Sequence, residues 1–291
     1  MPARLLAILD GMNSVTHLAD APRLAEPPGF TPAGCRDCRN RSPLRLPITM
    51  AFQPIVDVIK RGVFGYEALV RGQGGEGAGA VLSLVDDQNR YAFDQTCRVT
   101  AIDLADRLGL QGMLSINFLP NAVYRPETCI RATLEAAAEK NFPANRLMFE
   151  VTESERVLDH AHLKRIFAEY RRQGFTTAID DFGAGHSGLN LLADFQPDIV
   201  KLDMALTRGV DADRVRRAIV SGIVRLCDEL GIRVIAEGIE TPSECLALQD
   251  EGVALFQGYL FAKPGFESLP AMSDDVWSAI ARRRAADRRR R

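Results

Sequence analysis

The pattern of apolar and polar positions changes near Ile48. Residues 1–46 are rich in Pro, Gly and then Arg and lack sustained periodicity, so we interpret them as a flexible or partly packed N-terminal extension. After them, short β-branched runs alternate with longer stretches whose apolar residues recur at spacings of three and four, which is typical of strands followed by amphipathic helices. The predicted strands are TMAFQPIVDV, FGYEALV, MLSINF, RLMFEVT, FTTAID, DIVKLD, IRVIAE and VALFQGY.

Eight strands with interleaved helices predict an α/β fold of the TIM (βα)8 barrel type. Only a few residues around Lys60–Gly62 separate the first two strands. That connection is too short for a parallel crossover, so we expect a modified barrel with an antiparallel first strand pair. A doubly wound open sheet fits the periodicity as well, but it usually carries a Gly-rich phosphate turn, and the sequence has none. We assign residues 47–270 to the barrel and 271–291 to a C-terminal helix and basic tail.

Composition and charge exclude several classes of protein. The chain is 46% hydrophobic and 25% charged, which is ordinary for a globular protein with a substantial core. Its apolar runs are too short for a membrane span, and its first residues lack a secretory signal, so we expect a cytoplasmic protein. The formal net charge is −2, although the C-terminus is rich in Arg. The rest of the chain is therefore acidic, which argues against binding duplex nucleic acid.

The six cysteines suggest no complete metal or disulfide framework. Cys35 and Cys38 form a CRDC motif that could be half a zinc site or a redox pair, but no second pair follows to complete it. The other four are predicted to be small core residues or reduced surface thiols. They are Cys97, Cys129, Cys227 and Cys245.

Polar residues lie near the C-terminal ends of most predicted strands. They are Glu67, Asn117, Glu150, Asp180, Asp181, Lys201, Glu237 and Gln257. In a parallel barrel these strand ends form one rim, so the side chains should converge. One carboxylate at a strand end is usually a helix cap or a solvated residue, but capping does not explain so many at one rim.

Clustered carboxylates repel one another unless cations neutralise them. Ligands that are all oxygen atoms favour Mg²⁺ or Mn²⁺ over zinc. The adjacent Asp180 and Asp181 could share ligands between two ions, an arrangement that serves phosphoester hydrolysis.

Short motifs in these segments resemble the EAL domain family of c-di-GMP phosphodiesterases. The string YEALVR at 66–71 contains the Glu-Ala-Leu signature. The similarity extends to QPIVD at 53–57, INF at 116–118, FEVTE at 149–153, DDFGAG at 180–185, KLD at 201–203, AEGIE at 236–240 and QGYLF at 257–261. Each string is weak alone, but their order and spacing over about residues 48–266 are specific. The resemblance implies hydrolysis of c-di-GMP to linear pGpG by a metal-activated water, with two Mg²⁺ or Mn²⁺ ions per active site.

The resemblance also implies roles for individual residues. The implied metal ligands are Glu67, Asn117, Glu150 and Asp180 for one ion, and Asp180, Asp181 and Glu237 for the other. Lys201 matches the lysine that holds or deprotonates the attacking water, and Glu67 and Glu240 act with it in catalysis. The implied contacts to the dinucleotide are Gln53, Arg71, Asp94 and Gln257. Of these, Arg71 suits a two-pronged contact with phosphate, and Asp94 is implied at a guanine edge. Glu153 matches a glutamate that anchors the DDFGAG loop.

The sequence leaves other functions open. A degenerate relative would bind c-di-GMP without cleaving it, but such proteins lose the signature, the Asp pair or the lysine, and all are present here. A barrel enzyme for another phosphodiester would use the same carboxylates, and residues 1–46 could be a regulatory or partner-binding arm. The resemblance further implies a homodimer whose contact involves the helix after Asp180 and Asp181 and its loop.

Overall fold

The eight predicted strands form the wall of a closed barrel in the computed structural model. The structure describes residues 47–86, 88–123, 125–153, 160–185 and 188–288. The extension 1–46 with Cys35 and Cys38, and the last three arginines, lie outside the described residues. The strands are β1 (Ile48–Asp57), β2 (Gly62–Gly72), β3 (Met113–Asn117), β4 (Leu147–Thr152), β5 (Thr176–Phe182), β6 (Ile199–Leu202), β7 (Arg233–Ala236), β8 (Leu255–Gln257) and β9 (Gly265–Phe266).

Helices follow most strands and cover the outside of the barrel. They are α1 (Ala78–Leu82), α2 (Arg90–Arg107), α3 (Pro126–Cys129), α4 (Arg131–Glu139), α5 (His160–Arg172), α6 (Gly188–Asp194), α7 (Met204–Thr207), α8 (Arg214–Glu229), α9 (Pro242–Asp250) and α10 (Asp274–Arg288). Two short 3₁₀ helices span Pro120–Ala122 and Ala144–Arg146. No helix in these ranges combines the length and apolarity needed to cross a bilayer.

Strand order confirms the modified barrel. Strands β2 to β8 are parallel and pair in chain order, and β1 closes the barrel by pairing antiparallel with both β2 and β8. The β1–β2 connection turns tightly because Asp57 Oδ1 accepts from the backbone N–H groups of Ile59 and Lys60, at 3.0 and 2.9 Å, as Asp does in such turns. The two-residue strand β9 adds to β1 at Ala51 and Phe52.

Two apolar layers hold the barrel together. The inner layer fills the barrel and consists of Ile55, Met148, Ala178, Ile199, Ile235 and Leu255. The outer layer packs the opposite strand faces against the helices. The four cysteines predicted for core or surface positions, Cys97, Cys129, Cys227 and Cys245, are buried and free, so the core alternative is the one observed.

Candidate active site

The polar residues at the strand ends lie directly above the inner apolar layer. Side chains on a strand alternate between its two faces, so residues two apart share a face. Glu150 is therefore on the same face as Met148, and Asp180 on the same face as Ala178. The same spacing relates Lys201 to Ile199, Glu237 to Ile235 and Gln257 to Leu255. Because β1 runs antiparallel, its contribution to this rim, Gln53, comes two residues before Ile55.

Lys201 lies at the centre of this cluster and is 0% exposed. Its Nζ is 2.8 Å from Glu150 Oε2, 2.8 Å from Glu237 Oε1 and 2.9 Å from Asp180 Oδ1. Glu67 Oε2 is 3.5 Å away. One ammonium group thus faces four carboxylates, so the cluster carries excess negative charge in a site shielded from water.

This crowding shifts the pKa values of the cluster. Burial, and then the neighbouring carboxylates, raise the pKa of Glu150 to about 8, against the lowering effect of Lys201. Burial, and then Asp180, hold the pKa of Glu237 well above its usual range. Burial lowers the pKa of Lys201, but the carboxylates, Asp180 first, outweigh it and the pKa lies well above its ordinary value. Because a cation binds the deprotonated carboxylates, metal binding at this cluster would release protons.

Two groups within the cluster have the spacing of metal-binding sites. One oxygen from each of Glu67, Glu150 and Asp180 lies within 4.8 Å of the others, and the same holds for Asp180, Asp181 and Glu237. Asp180 belongs to both groups. Asn117 Nδ2 donates to Glu67 Oε1 at 2.8 Å, so the amide oxygen is the atom that Asn117 can offer to a cation.

An unsatisfied oxygen supports the fit to a cation. Glu150 Oε1 is buried and has no hydrogen-bond partner among the described residues, which is costly for a carboxylate. A hard divalent cation with oxygen ligands would satisfy it. The donor set of carboxylates and one amide therefore fits Mg²⁺ or Mn²⁺.

A bulge in β5 explains how two consecutive aspartates face one site. Ala178 and Ile179 pair regularly with β6, but the register then shifts before Phe182. Asp181 has φ of 53°, which is unusual for a residue other than glycine. The irregular backbone lets both Asp180 and Asp181 line the cleft above the barrel. Half-burial, and then Asp180, raise the pKa of Asp181 to about 6.

Glu153 fixes the loop that follows these aspartates. Its carboxylate accepts from the backbone N–H groups of Gly183 and Gly188, both at 2.7 Å, and of Gly185 at 3.4 Å. A Cβ at Gly188 would lie 2.8 Å from a ring carbon of Phe182 and 3.1 Å from the Glu153 carboxyl carbon. Only glycine allows the backbone at position 188 to approach these two side chains so closely. The carboxylate of Glu153 therefore packs directly against the loop backbone at Gly183, Gly185 and Gly188.

A second buried glutamate holds the segment that carries Glu237 and Glu240. Glu244 accepts from the N–H groups of Glu240 and Thr241, at 3.1 and 3.0 Å, and completes a capping box with Thr241 at the start of α9. Its other oxygen accepts from Gly209 N at 2.9 Å. The loops after β6 and β7 are therefore tied together at the rim.

A cleft of about 340 Å³ opens above the cluster. Its lining includes the predicted residues Gln53, Glu67, Asp180, Asp181, Glu237, Glu240 and Gln257. Gln257 Nε2 donates to Glu67 Oε2 at 2.7 Å and to Gln53 Oε1 at 3.2 Å, which links both glutamines to the cluster.

The lining also contains residues that sequence reasoning missed. They are Asp203, Met204, Arg208, Gly238, Gly258 and Tyr259. Arg208 Nη2 donates to Glu240 Oε1 at 2.8 Å, so it brings a cation to an acidic rim. Asp203 and Tyr259 lie inside the KLD and QGYLF motifs, whereas Arg208 carries no signal in the sequence pattern.

Two predicted dinucleotide contacts do not line this cleft in the described part of the chain. Arg71, at the end of β2, is partly buried and donates to the carbonyl of Val70 at 2.8 Å. Asp94 is 2% exposed and pairs with Arg98, with 2.8 Å between Oδ2 and Nε. Both oxygens of Asp94 have partners inside the protein, and its contact with a guanine edge stays a prediction.

The raised carboxyl pKa values predict how the metal-free protein responds to pH. The pKa of Glu150 rises from its ordinary value of 4.5 to about 8 in the folded chain. The pKa of Asp181 rises from 3.8 to about 6. The folded state holds more protons between these limits, so these groups make the free energy of unfolding fall as pH rises. We expect the melting temperature in EDTA to decrease from about pH 5 to about pH 8, and less steeply in Glu150→Gln. A steady increase over that range in the parent would contradict the raised values.

Comparison with known proteins extends this picture. The EAL domain model matches residues 43–264. The antirepressor BluF of Escherichia coli, regulated by blue light and temperature, is 32% identical over 77% of this chain and 56% of its own length. The cyclic di-GMP phosphodiesterase RocR of Pseudomonas aeruginosa is 34% identical over 43% of this chain and 32% of its own. The chain thus spans about half or less of these relatives.

A crystal structure is similar over nearly its whole length. A standalone EAL protein from Vibrio cholerae O395, in its c-di-GMP-bound form, is 56% identical with a TM-score of 0.78, over 81% of this chain and 99% of that one. The family match covers most of the barrel, and the motifs that suggested it lie around one cleft. The chain belongs to the EAL domain family.

Proposed function

We propose that this chain is a metal-dependent phosphodiesterase that hydrolyses c-di-GMP to linear 5′-pGpG. The observation that carries the proposal is a pair of carboxylate groups that share Asp180. In each group, one oxygen of every residue lies within 4.8 Å of the others, and Asp180 contacts the buried Lys201. A phosphodiesterase relative and a c-di-GMP-bound structural relative support the choice of substrate.

The residues of the cluster divide into metal holders and positioning groups. One ion would be held by Glu67, Asn117, Glu150 and Asp180, and the other by Asp180, Asp181 and Glu237. When bound, two Mg²⁺ or Mn²⁺ ions supply an activated water and neutralise charge that develops on the phosphoryl group. Lys201 Nζ contacts Glu150, Asp180 and Glu237, so it is placed to hold the attacking water or to take its proton.

Polar residues at the rim are suited to hold the dinucleotide. Gln53 and Gln257 line the cleft beside Glu67. Glu240, on the loop after β7, accepts a hydrogen bond from Arg208, on the loop after β6. Amide and guanidinium groups recognise guanine edges and phosphates through paired hydrogen bonds. For Arg71 to take part, its side chain would exchange the bond to Val70 O for one to phosphate.

The proposal is tested with the purified chain, c-di-GMP, pGpG and bis(p-nitrophenyl) phosphate. We expect conversion of c-di-GMP to pGpG with Mg²⁺ or Mn²⁺, loss of turnover after chelation, and recovery when Mn²⁺ is restored. Ca²⁺ should suppress turnover because its longer, looser coordination activates water poorly. Full activity after exhaustive chelation would contradict the metal dependence. Faster cleavage of the aryl diester than of c-di-GMP would contradict the proposal that c-di-GMP is the substrate.

A non-catalytic c-di-GMP-binding effector is the second candidate. One relative is named as an antirepressor, which is a regulatory role. The presence of every predicted metal ligand and of Lys201 in one cluster favours the enzyme. Tight binding of c-di-GMP in Mn²⁺ without any pGpG would support the effector instead.

Replacing Glu153 should weaken metal binding without touching a ligand. Glu153→Ala removes the acceptor for three backbone N–H groups next to Asp181, so the loop loses its support. Residues that orient metal ligands typically contribute about 10- to 100-fold in affinity. We expect the Mn²⁺ concentration for half-maximal turnover to rise by about tenfold or more. Glu169→Ala, which removes a glutamate paired with Arg172 on α5, is the control. Unchanged Mn²⁺ dependence in Glu153→Ala would contradict this role.

We also propose that the chain forms a homodimer through α6. Leu189 on that helix is 63% exposed, and α6 directly follows the loop held by Glu153. Leu189→Glu should shift the mass measured by light scattering from dimer to monomer, because a buried carboxylate is costly. A parent that is monomeric and fully active at the assay concentration would contradict the proposal.

A further inference from the structure

A charged pair is buried between the barrel and its helices, outside the cleft. Arg98 is 0% exposed and Asp94 is 2% exposed, and both lie on α2. Arg98 Nε is 2.8 Å from Asp94 Oδ2, and Arg98 Nη1 donates to the Tyr170 hydroxyl at 2.7 Å. Buried ion pairs often contribute little to stability compared with apolar residues of the same volume. The contacts of this pair therefore point to another role.

Arg98 packs against residues adjacent to two of the metal-ligand candidates. Its guanidinium carbon lies 5.5 Å from the ring centre of Phe118 and 5.0 Å from that of Phe149. Phe118 follows Asn117, and Phe149 precedes Glu150. Neighbouring residues on a strand point to opposite faces. Contacts that fix these two rings outside the barrel thus fix the polar neighbours that point into it.

Asp94 holds the backbone at the same place. Its Oδ1 accepts from the N–H of Leu119 at 2.9 Å, two residues after Asn117. The intervening Phe118 N donates to Glu150 O at 3.0 Å. The chain leaving β3 is therefore held from one side by α2 and from the other by β4. Loss of the carboxylate would leave the Leu119 N–H without this acceptor in a partly buried region.

We propose that Asp94 and Arg98 are positioning residues that set Asn117 and Glu150 for metal binding. This inference rests on the proposed function, which makes those two residues metal ligands. In this role Asp94 uses both oxygens, one to accept from Leu119 N and one to contact Arg98. The role therefore explains why this carboxylate is buried.

Two double variants separate positioning from stability. Asp94→Leu with Arg98→Met, and Asp94→Asn with Arg98→Met, both replace the charged pair by neutral side chains of similar volume. They differ in the acceptor oxygen, which Asn retains for Leu119 N and Leu lacks. The readout is the Kd for Mn²⁺ by calorimetry, without substrate. We expect the Leu-containing variant to bind Mn²⁺ about tenfold or more weakly than the parent. The Asn-containing variant should have a Kd between the two, because it keeps the acceptor for Leu119 N but lacks the guanidinium against Phe118 and Phe149.

Ile102→Ala is the matched control, since Ile102 is a fully buried residue of the same helix. It should lower the melting temperature and leave the Kd for Mn²⁺ close to that of the parent. Equal Kd values in the two double variants, or an equal loss in Ile102→Ala, would overturn the positioning role while leaving the proposed function intact. A parent chain that binds no Mn²⁺ would overturn the metal site and this proposal with it.

Discussion

Lys201→Ala should abolish most turnover while leaving substrate binding largely intact. The ammonium group contacts Glu150, Asp180 and Glu237 at 2.8 to 2.9 Å and is placed to orient the attacking water. Loss of a positioned acid or base group typically costs about 10²- to 10⁴-fold in rate. We therefore expect turnover in Mg²⁺ to fall by about a hundredfold or more. Affinity for c-di-GMP, measured by calorimetry in Ca²⁺, should change by less than about tenfold, or about 1.4 kcal/mol.

The same variant makes a prediction about the metal-free protein. Without Lys201 the four carboxylates lose the cation nearest to them, so their mutual repulsion grows. The increase in melting temperature on adding Mn²⁺ should therefore be larger in Lys201→Ala than in the parent. Lys164→Ala is the control, because Lys164 forms an exposed ion pair with Asp194 on the helices. Near-normal turnover in Lys201→Ala would remove this residue from the mechanism.

Asp180→Asn should remove metal binding from both carboxylate groups at once. Asp180 is the residue common to both, and Asn keeps its shape while removing its charge. Bound divalent cations stabilise phosphoryl-transfer transition states by several kcal/mol. A loss of about 4 kcal/mol corresponds to roughly a thousandfold lower rate. We expect a decrease of that order in turnover, together with loss of both Mn²⁺ equivalents in calorimetry.

The control for Asp180→Asn is Asp103→Asn. Asp103 pairs with Lys140 at 2.6 Å on the outer helices, so its loss should affect neither Mn²⁺ binding nor turnover. In EDTA, Asp180→Asn should lower the melting temperature no more than Asp103→Asn does. The loss of one negative charge relieves repulsion among the carboxylates of the cluster. Two Mn²⁺ equivalents bound with parental affinity in Asp180→Asn would contradict a shared ligand.

The barrel and the position of its site were predictable because both depend on a simple period. Residues two apart on a strand share a face, so the apolar residues Met148 and Ile199 and the polar residues Glu150 and Lys201 could be placed in one interior from the sequence. The short connection around Lys60 likewise determined that β1 and β2 are antiparallel. These features are local in the chain and need no knowledge of long-range contacts.

Other features depend on contacts between distant segments. The bulge that turns Asp181 toward the cleft breaks the period of two, and no residue type in the sequence requires it. Asp94 is buried, and its oxygens contact Arg98 on the same helix and Leu119, which lies 25 residues further along the chain. Arg208 lies at the rim beside Glu240, where Glu244 ties the loops after β6 and β7 together.

The most direct test of the central claim is hydrolysis of c-di-GMP by the parent chain in H₂¹⁸O with Mn²⁺, followed by mass spectrometry of the product. Attack of one water on one phosphodiester predicts linear pGpG that carries a single ¹⁸O on its terminal phosphate. A parallel sample in EDTA should contain unchanged c-di-GMP. Intact c-di-GMP in the Mn²⁺ sample, with the ligand bound to the protein, would contradict the enzyme and identify an effector.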